Sequence, residues 1–145
     1  MIKKMHLLAA IVPLFCVALW AAPKKVLQPK EFPAGKPFSP AILAGDTLYV
    51  SGQIGADLKS GKIPELFEDE AKLCLQNIGI LLKAAGMSYA DVVSVQVYLT
   101  DMEQFQRMNE IYKAFFAEPR PTRTTVGVAR LAGGAHIEIT VTAKK

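Results

Sequence analysis

Apolar residues recur at helical spacing in one long stretch near the middle of the chain. Glu68, Asp69 and Glu70 lie in its predicted first turn, where the helix dipole favours negative charge. Gly86 follows the last turn as a residue suited to end a helix. The pattern predicts an amphipathic helix over residues 67–85. Its apolar stripe contains Phe67, Ala71, Cys74, Leu75, Ile78, Leu81, Leu82 and Ala85.

A second, shorter helical stripe follows further along the chain. Asp101 can cap its start, and Gln104 completes a capping-box pattern. Pro119 and Pro121 end it, because proline lacks a backbone N–H and disturbs the preceding turn. Its apolar face contains Phe105, Met108, Ile111, Tyr112 and Phe115.

Other segments are rich in β-branched residues or alternate with a period of two, which predicts strands. A turn at Gly45 and Asp46 joins the first pair of strands, and the glycines at residues 132–135 are interpreted as a hairpin that joins the last pair. The resulting order β-β-α-β-α-β-β predicts a single α/β (α+β) domain with two helices on one face of the sheet. The other face must then meet water or another subunit. The predicted strands are residues 38–44, 47–54, 92–100, 122–131 and 136–142.

Polar side chains on the last two predicted strands are candidates for a ligand site. In the last strand, the apolar odd-numbered positions are predicted to face the helices, which places Glu138 on the uncovered face. In the strand before it, Val126 and Val128 are taken to face the helices. Arg123 and Thr125 are therefore predicted to share the uncovered face with Glu138.

The predicted hairpin also sets the separation of Arg123 and Glu138. With the turn between Gly133 and Gly134, Glu138 would pair with Ala129, far along the strand from Arg123. At about 3.3 Å per residue the separation is roughly 20 Å, which one Arg side chain cannot span. If both residues serve one site, they should therefore come from different subunits. On periodicity alone, a surface position or an inter-subunit salt bridge is the simpler interpretation of either residue.

Residues 1–22 differ from the rest of the chain. Lys3 and Lys4 precede an uncharged apolar run at residues 7–20, and small residues follow, which is the pattern of a secretory signal peptide. The run is shorter than the roughly 20 residues of a transmembrane helix, and an uncleaved anchor is the alternative. The sequence therefore predicts an exported protein, periplasmic or secreted, that contacts a membrane only through an uncleaved leader.

The rest of the chain is predicted to divide into an arm and one domain. Residues 23–37 contain four prolines and no apolar period, which predicts an extended arm or linker before a domain at residues 38–145. Cys16 lies in the leader, so the mature protein would keep only Cys74. A single cysteine cannot form an internal disulfide, and Cys74 is predicted to be a small buried residue of the helix.

Composition narrows the classes of function. The chain has 145 residues, of which 51% are hydrophobic and 21% charged, as expected for one globular domain. The formal net charge of +4 falls to +2 without Lys3 and Lys4, which is too mild for a typical nucleic-acid-binding surface. The sequence has no metal-ligand spacing, nucleophile elbow or phosphate loop, so it predicts no metal site, no hydrolase-type nucleophile and no nucleotide cradle.

Seven segments in a fixed order resemble a known family. They are KPFSPAI, LYVSGQIG, LQNIGILLKAAG, VVSVQVYLTDM, MNEIYKAFF, PTRTTVGVARL and IEITVTA. Together they are similar to the Rid (YjgF-like) family, which includes 2-iminobutanoate/2-iminopropanoate deaminases, over roughly residues 37–143. The resemblance implies a chorismate-mutase-like domain with a mixed sheet. It also implies a homotrimer with a central barrel and active sites in clefts between subunits.

The resemblance further implies a reaction and the residues that perform it. Arg123, in a Pro-Thr-Arg segment, would bind the carboxylate of a 2-imino or enamino acid with two parallel hydrogen bonds. Water would attack the imine carbon and ammonia would leave, giving a 2-oxo acid, while Glu138 would position or activate that water. Ser51, Gly52 and Asn109 match further substrate-site positions, and no cofactor is implied.

Three departures from the family pattern alter the expected substrate pocket. Phe38 replaces a frequent tyrosine and Thr125 a frequent cysteine, both at positions expected to contact substrate. The loop before Arg123 is also shorter. These changes are expected to affect rate and substrate preference rather than to remove the chemistry.

Three other functions are weighed against deamination. A non-catalytic exported trimer, ligand-binding or chaperone-like, would keep Arg123 to bind carboxylates without turnover. Ribonuclease or translation-inhibitor activity is disfavoured by the mild charge and by the lack of a His pair or aromatic stacking platform. Chorismate mutase activity should need more than one cationic group for its dianionic substrate, and the sequence indicates only Arg123.

Overall fold

The computed structural model describes residues 23–145. This part of the chain forms one six-stranded sheet and two α-helices. In chain order the elements are β1 Lys24–Leu27, β2 Ala41–Ala44, β3 Thr47–Ile54, α1 Phe67–Ala84, β4 Val92–Leu99, α2 Phe105–Phe115, β5 Thr122–Gly127 and β6 Ile137–Lys144. Across the sheet the strands lie in the order β1-β2-β3-β6-β4-β5, with β4 and β5 parallel and the other neighbours antiparallel. The predicted α/β fold with two helices and a mixed sheet is confirmed.

One face of the sheet packs against the helices and forms the core. Ile137, Ile139 and Val141 of β6 are buried on this face, as their alternation predicts. On the opposite face, which no helix covers, Tyr49 is 54% exposed and Val126 is 41% exposed. We call this second side the uncovered face.

α1 begins and ends close to the predicted positions. At its end the N–H of Gly86 donates to the Lys83 carbonyl at 2.9 Å, and the N–H of Met87 donates to the Leu82 carbonyl at 2.8 Å. These two bonds form a Schellman motif, which needs a left-handed residue at the first position beyond the cap. Gly86 supplies it with φ +66°.

Glu70 lies in the first turn of α1, as predicted, but it is not a surface residue. Its side chain is fully buried. One carboxylate oxygen accepts the backbone N–H groups of His136 at 2.7 Å and Ile137 at 3.2 Å, and the other lies 2.8 Å from His136 Nδ1. These bonds compensate for the cost of burying a carboxylate and fasten the start of β6 to α1.

The predicted cap at Asp101 is confirmed, although a 3-10 turn precedes the α-helix. The Asp101 side chain accepts the backbone N–H of Glu103 at 2.9 Å, at the start of the turn Met102–Gln104. The Gln104 amide donates to the Asp101 carboxylate at 3.4 Å instead of reaching back to its backbone. The capping box is therefore replaced by a contact between the two side chains.

The predicted hairpin between the last two strands is wrong. β6 lies between β3 and β4 and is antiparallel to both, whereas β5 pairs with β4. The glycine-rich segment forms a 3-10 turn, Ala132–Gly134, inside a connection that carries the chain across β4. Glycines indicate where the chain turns but do not determine which strand it joins next.

β1 lies within the segment predicted to be an arm. It pairs with β2 in an antiparallel register from Lys24 opposite Ala44 to Leu27 opposite Ala41. Leu27 and Phe32 are buried in the core. The folded part of the chain therefore begins before residue 38. The sequence did not predict this strand, because four residues among prolines are too few to show an alternation of apolar and polar positions.

The predicted signal peptide and Cys16 lie outside the described residues. Within residues 23–145, no helix is long and apolar enough to cross a membrane. Cys74 is buried, as predicted, and its Sγ lies 3.0 Å from the carbonyl oxygen of Gln53. Burial raises the pKa of its thiol, so this cysteine is a packing residue.

Candidate functional site

The predicted orientation of Arg123 and Thr125 is wrong, because both lie on the helix side of the sheet. The parallel register places Arg123 opposite Val95 and Thr125 opposite Val97, and both valines belong to the core. Val126 instead lies on the uncovered face. Exposed apolar residues are common on protein surfaces, so a valine on this edge strand does not identify the core side.

Arg123 lies against the aromatic side of α2. Its Cζ is 4.6 Å from the ring centroid of Tyr112 and 5.7 Å from that of Phe105, within the range of cation–π attraction. Its Nη1 lies 3.8 Å from the sulfur of Met108. Within residues 23–145 no carboxylate forms a salt bridge with Arg123. The guanidinium is therefore held by aromatic packing and is available to an anionic ligand.

A cleft of about 380 Å³ opens at Arg123, and we call it the arginine cleft. Tyr112 lines it, and burial raises the pKa of the Tyr112 hydroxyl while the charges of Arg123 and Arg120 oppose that rise. The hydroxyl has no hydrogen-bond partner among the described residues. The cleft is lined by Asn109, Tyr112, Lys113, Arg120, Pro121 and Arg123.

Thr125 does not line either of the two cavities that contain the other predicted site residues. Its hydroxyl oxygen is buried and has no hydrogen-bond partner within residues 23–145. It lies on the same side of β5 as Arg123, two positions further along. Within a single chain, Thr125 therefore does not lie at a cavity where it could make the predicted contact with substrate.

Glu138 lies at a larger cavity of about 640 Å³, which we call the glutamate cavity. A β-bulge in β3 forms part of its wall, because Ser51 and Gly52 lie between Val50, paired with Val141, and Gln53, paired with Ile139. The bulge brings the backbone of Gly52 against the Glu138 side chain. A Cβ at position 52 would overlap Glu138 Oε1, so the present position of this carboxylate depends on the glycine.

Ser51 fixes the chain segment at the entrance of the glutamate cavity. Its hydroxyl donates to the Ser39 carbonyl at 2.7 Å, and its backbone N–H donates to the Pro40 carbonyl at 3.0 Å. Phe38, next to this anchored segment, also lines the cavity and is 56% exposed. An aromatic ring that exposed at a cavity entrance can cover a ligand or contact another subunit.

The structure thus separates the predicted site residues into two groups. Phe38, Ser51, Gly52 and Glu138 line the glutamate cavity, whereas Arg123 and Asn109 line the arginine cleft. Glu138 pairs with Tyr98 on the uncovered face, while Arg123 faces the helices.

The sequence reasoning missed three residues of the arginine cleft: Tyr112, Lys113 and Arg120. Helical spacing could have indicated two of them, because residues three and four positions after Asn109 lie on its side of α2. Tyr112 was predicted only as part of the apolar face. Arg120 had no such signal, because it belongs to the loop between α2 and β5. Among the described residues, no group of three or more His, Cys, Asp or Glu side chains could hold a metal ion.

Comparison with known proteins assigns the chain to a family. The family described as "Endoribonuclease L-PSP", which comprises the YjgF and Rid proteins, matches residues 29–145. The chain belongs to the Rid family. It is 42% identical over 118 residues to the mouse protein named 2-iminobutanoate/2-iminopropanoate deaminase, covering 80% of this chain and 87% of the mouse protein. It is 44% identical over 110 residues to a RutC family protein of Pyrococcus horikoshii, covering 75% and 87% of the two chains.

Solved structures of Rid proteins share the fold. RidA of an Antarctic Psychrobacter superposes with a TM-score of 0.80 at 36% identity, covering 83% of this chain and 99% of that one. Escherichia coli TdcF with bound serine superposes with a TM-score of 0.79 at 35% identity, covering 83% and 98%. The Rid architecture therefore accounts for nearly the whole of these relatives and for most of this chain.

Proposed function

We propose that this protein is a cofactor-free deaminase that hydrolyses reactive 2-imino and enamino acids to 2-oxo acids and ammonia. The observation that carries the proposal is the Arg123 guanidinium, packed on Tyr112 at 4.6 Å and without a carboxylate partner among the described residues. A planar guanidinium binds a carboxylate through two parallel hydrogen bonds, as a 2-imino acid requires. The relatives named as imine deaminases support the same chemistry.

The proposed reaction needs only water as co-reactant. The oxygen of water forms a bond with the imine carbon, and the π electrons of the C=N bond move to nitrogen, which takes up a proton. The hydroxyl proton of this carbinolamine then passes to nitrogen as the C–N bond breaks, so ammonia leaves and the former hydroxyl oxygen becomes the carbonyl oxygen of the 2-oxo acid. Glu138 would accept the proton of the attacking water and return it to the leaving nitrogen.

We propose further that the protein acts as a homotrimer in which each active site lies between two subunits. Arg123 and Glu138 face opposite sides of one sheet, so a single chain does not present both to one small substrate. A head-to-tail arrangement would bring the arginine cleft of one subunit against the glutamate cavity of the next, as in a closed cyclic oligomer. The exposed Tyr49 and Val126 on the uncovered face favour burial against another copy.

The proposal is tested by following 2-oxo acid release from 2-iminopropanoate and 2-iminobutanoate formed in situ by an amino-acid oxidase. The wild-type protein should accelerate release over the spontaneous rate. Arg123→Ala should lower kcat/KM by about 100-fold, and Arg123→Lys should raise KM by about 10-fold, because lysine keeps the charge without the planar fork. Arg107→Ala is the matched control, since Arg107 pairs with Glu68 at 2.9 Å on the exposed surface.

Failure of the folded wild-type oligomer to accelerate either reaction would overturn the proposal. Binding of 2-oxo acids without turnover, lost in Arg123→Ala, would instead support the alternative of a non-catalytic ligand-binding or chaperone-like trimer.

We also propose that residues 1–22 direct export, on the grounds of their leader-like pattern. The mass of the protein recovered from cells would show whether this segment is removed.

A further inference from the structure

The arginine cleft collects three cationic side chains. Lys113 of α2, Arg120 of the following loop and Arg123 of β5 all line it, and no carboxylate does. The uncharged part of its lining is Asn109, Tyr112 and Pro121. Three like charges around one cleft repel one another, and an anionic ligand relieves that repulsion.

One of the three charges is already compensated. Arg120 forms a salt bridge with Glu118, and its Nε donates to the Phe116 carbonyl at 3.2 Å. Within residues 23–145, neither Lys113 nor Arg123 has a carboxylate within salt-bridge distance. Within one subunit, the cleft therefore presents two positive charges, Lys113 and Arg123, that have no carboxylate partner among the described residues.

We infer that the preferred substrates are 2-imino acids with a second carboxylate, such as the imines of aspartate and glutamate. This inference rests on the proposed deaminase function and names its substrate class. Arg123 binds the carboxylate beside the imine, and Lys113 binds the carboxylate of the side chain. Lysine suits the second role, because its flexible ammonium group can meet carboxylates at different distances.

The other candidate cation, Lys36, lies in a different electrostatic environment. It lines the glutamate cavity together with Asp57 and Glu138, so two carboxylates share that cavity with one ammonium group. Asp57 also accepts the backbone N–H of Ser60 at 2.7 Å, which favours its charged form. A dianionic substrate is therefore better balanced at Lys113 than at Lys36.

The experiment compares 2-iminoglutarate and 2-iminosuccinate with 2-iminopropanoate in the oxidase-coupled assay. Wild-type protein should show a higher kcat/KM for the dicarboxylates. Lys113→Gln should raise KM for the dicarboxylates by about 10-fold with little change in kcat, and should change KM for 2-iminopropanoate by less than about twofold. Lys72→Gln is the matched control, because Lys72 is an exposed helical lysine paired with Asp69 at 3.6 Å.

Calorimetric titration with 2-oxoglutarate and 2-oxobutanoate separates this inference from the deaminase proposal, since binding does not require turnover. Tighter binding of 2-oxoglutarate, lost in Lys113→Gln, supports the assignment of Lys113 to a second carboxylate, whereas a failure to hydrolyse any imine overturns the deaminase proposal and with it the substrate class. Deamination of 2-iminopropanoate with no preference for dicarboxylates overturns the inference and leaves the deaminase proposal standing. An equal effect of Lys113→Gln on all substrates, or a selective effect of Lys36→Gln instead, also overturns it.

Discussion

Gly52 and Glu138 depend on each other through a single close contact. The Glu138 carboxylate occupies the space in which any other residue at position 52 would place its Cβ. The bulge at Ser51 and Gly52 therefore sets the position of the carboxylate as much as the Glu138 rotamer does.

Gly52→Ala should displace the Glu138 carboxylate, because the added Cβ would overlap Oε1. Since the end of the Glu138 side chain can move away, we expect a loss of no more than about 1 kcal/mol in the free energy of unfolding but of about 100-fold in kcat/KM. Denaturant unfolding and the deaminase assay would measure the two effects. Gly86→Ala is the control, because its cost arises from the positive φ at the end of α1 and should leave activity per folded molecule unchanged.

α1 and β6 are joined by the buried carboxylate of Glu70, which accepts two backbone N–H groups and contacts the His136 ring. His136 and Ile137 begin the strand that carries Glu138. The attachment therefore supports the candidate site from the helix side of the sheet.

Removing this carboxylate should destabilise the fold because it leaves buried donors without partners. Glu70→Ala is expected to lower the free energy of unfolding by about 3 kcal/mol, and Glu70→Gln by less, since the amide oxygen can still accept both backbone N–H groups. Denaturant unfolding curves would rank the variants. Glu68→Ala is the control, because Glu68 is part of an exposed pair with Arg107; equal losses at both positions would contradict the special role of Glu70.

The most predictable part of the fold was the set of elements in which apolar residues recur regularly over many positions. α1, α2 and the core side of β6 follow directly from the spacing of their apolar residues. Strand pairing was not predictable, because the alternation of apolar and polar residues within a strand does not indicate which strand lies beside it. In the structure β6 lies between β3 and β4. The side of β5 was also misassigned, since Arg123 packs on aromatic rings while Val126 is exposed.

Strand alternation indicated Arg123, Thr125 and Glu138 as candidates, whereas the remaining predicted site residues came only from the family resemblance. The structure places Phe38, Ser51, Gly52 and Glu138 at one cavity, which no period along the chain could show. The predicted hairpin does not form, so it does not separate Arg123 from Glu138. The two residues are instead separated because they lie on opposite faces of the sheet, which also favours contributions from different subunits.

For the assembled protein, a shared site predicts complementation between inactive subunits. In the proposed trimer, Arg123→Ala and Glu138→Ala should each lower activity strongly, but trimers refolded from an equal mixture should recover about a quarter of wild-type activity. That fraction arises because a random pair of neighbours supplies an intact Arg123 and an intact Glu138 at one site in four. The assay on mixed and unmixed samples measures it, and no recovery from mixed trimers would place both residues in one subunit's site.

The contact between position 52 and Glu138 also constrains how this protein can change through evolution. A lineage that gains a side chain at position 52 first passes through an intermediate in which that side chain and the glutamate compete for the same space. A lineage that shortens residue 138 first is then free to fill position 52, and a glutamate regained later would have to hold its carboxylate elsewhere. The present position of the carboxylate is therefore hard to recover once position 52 has gained a side chain.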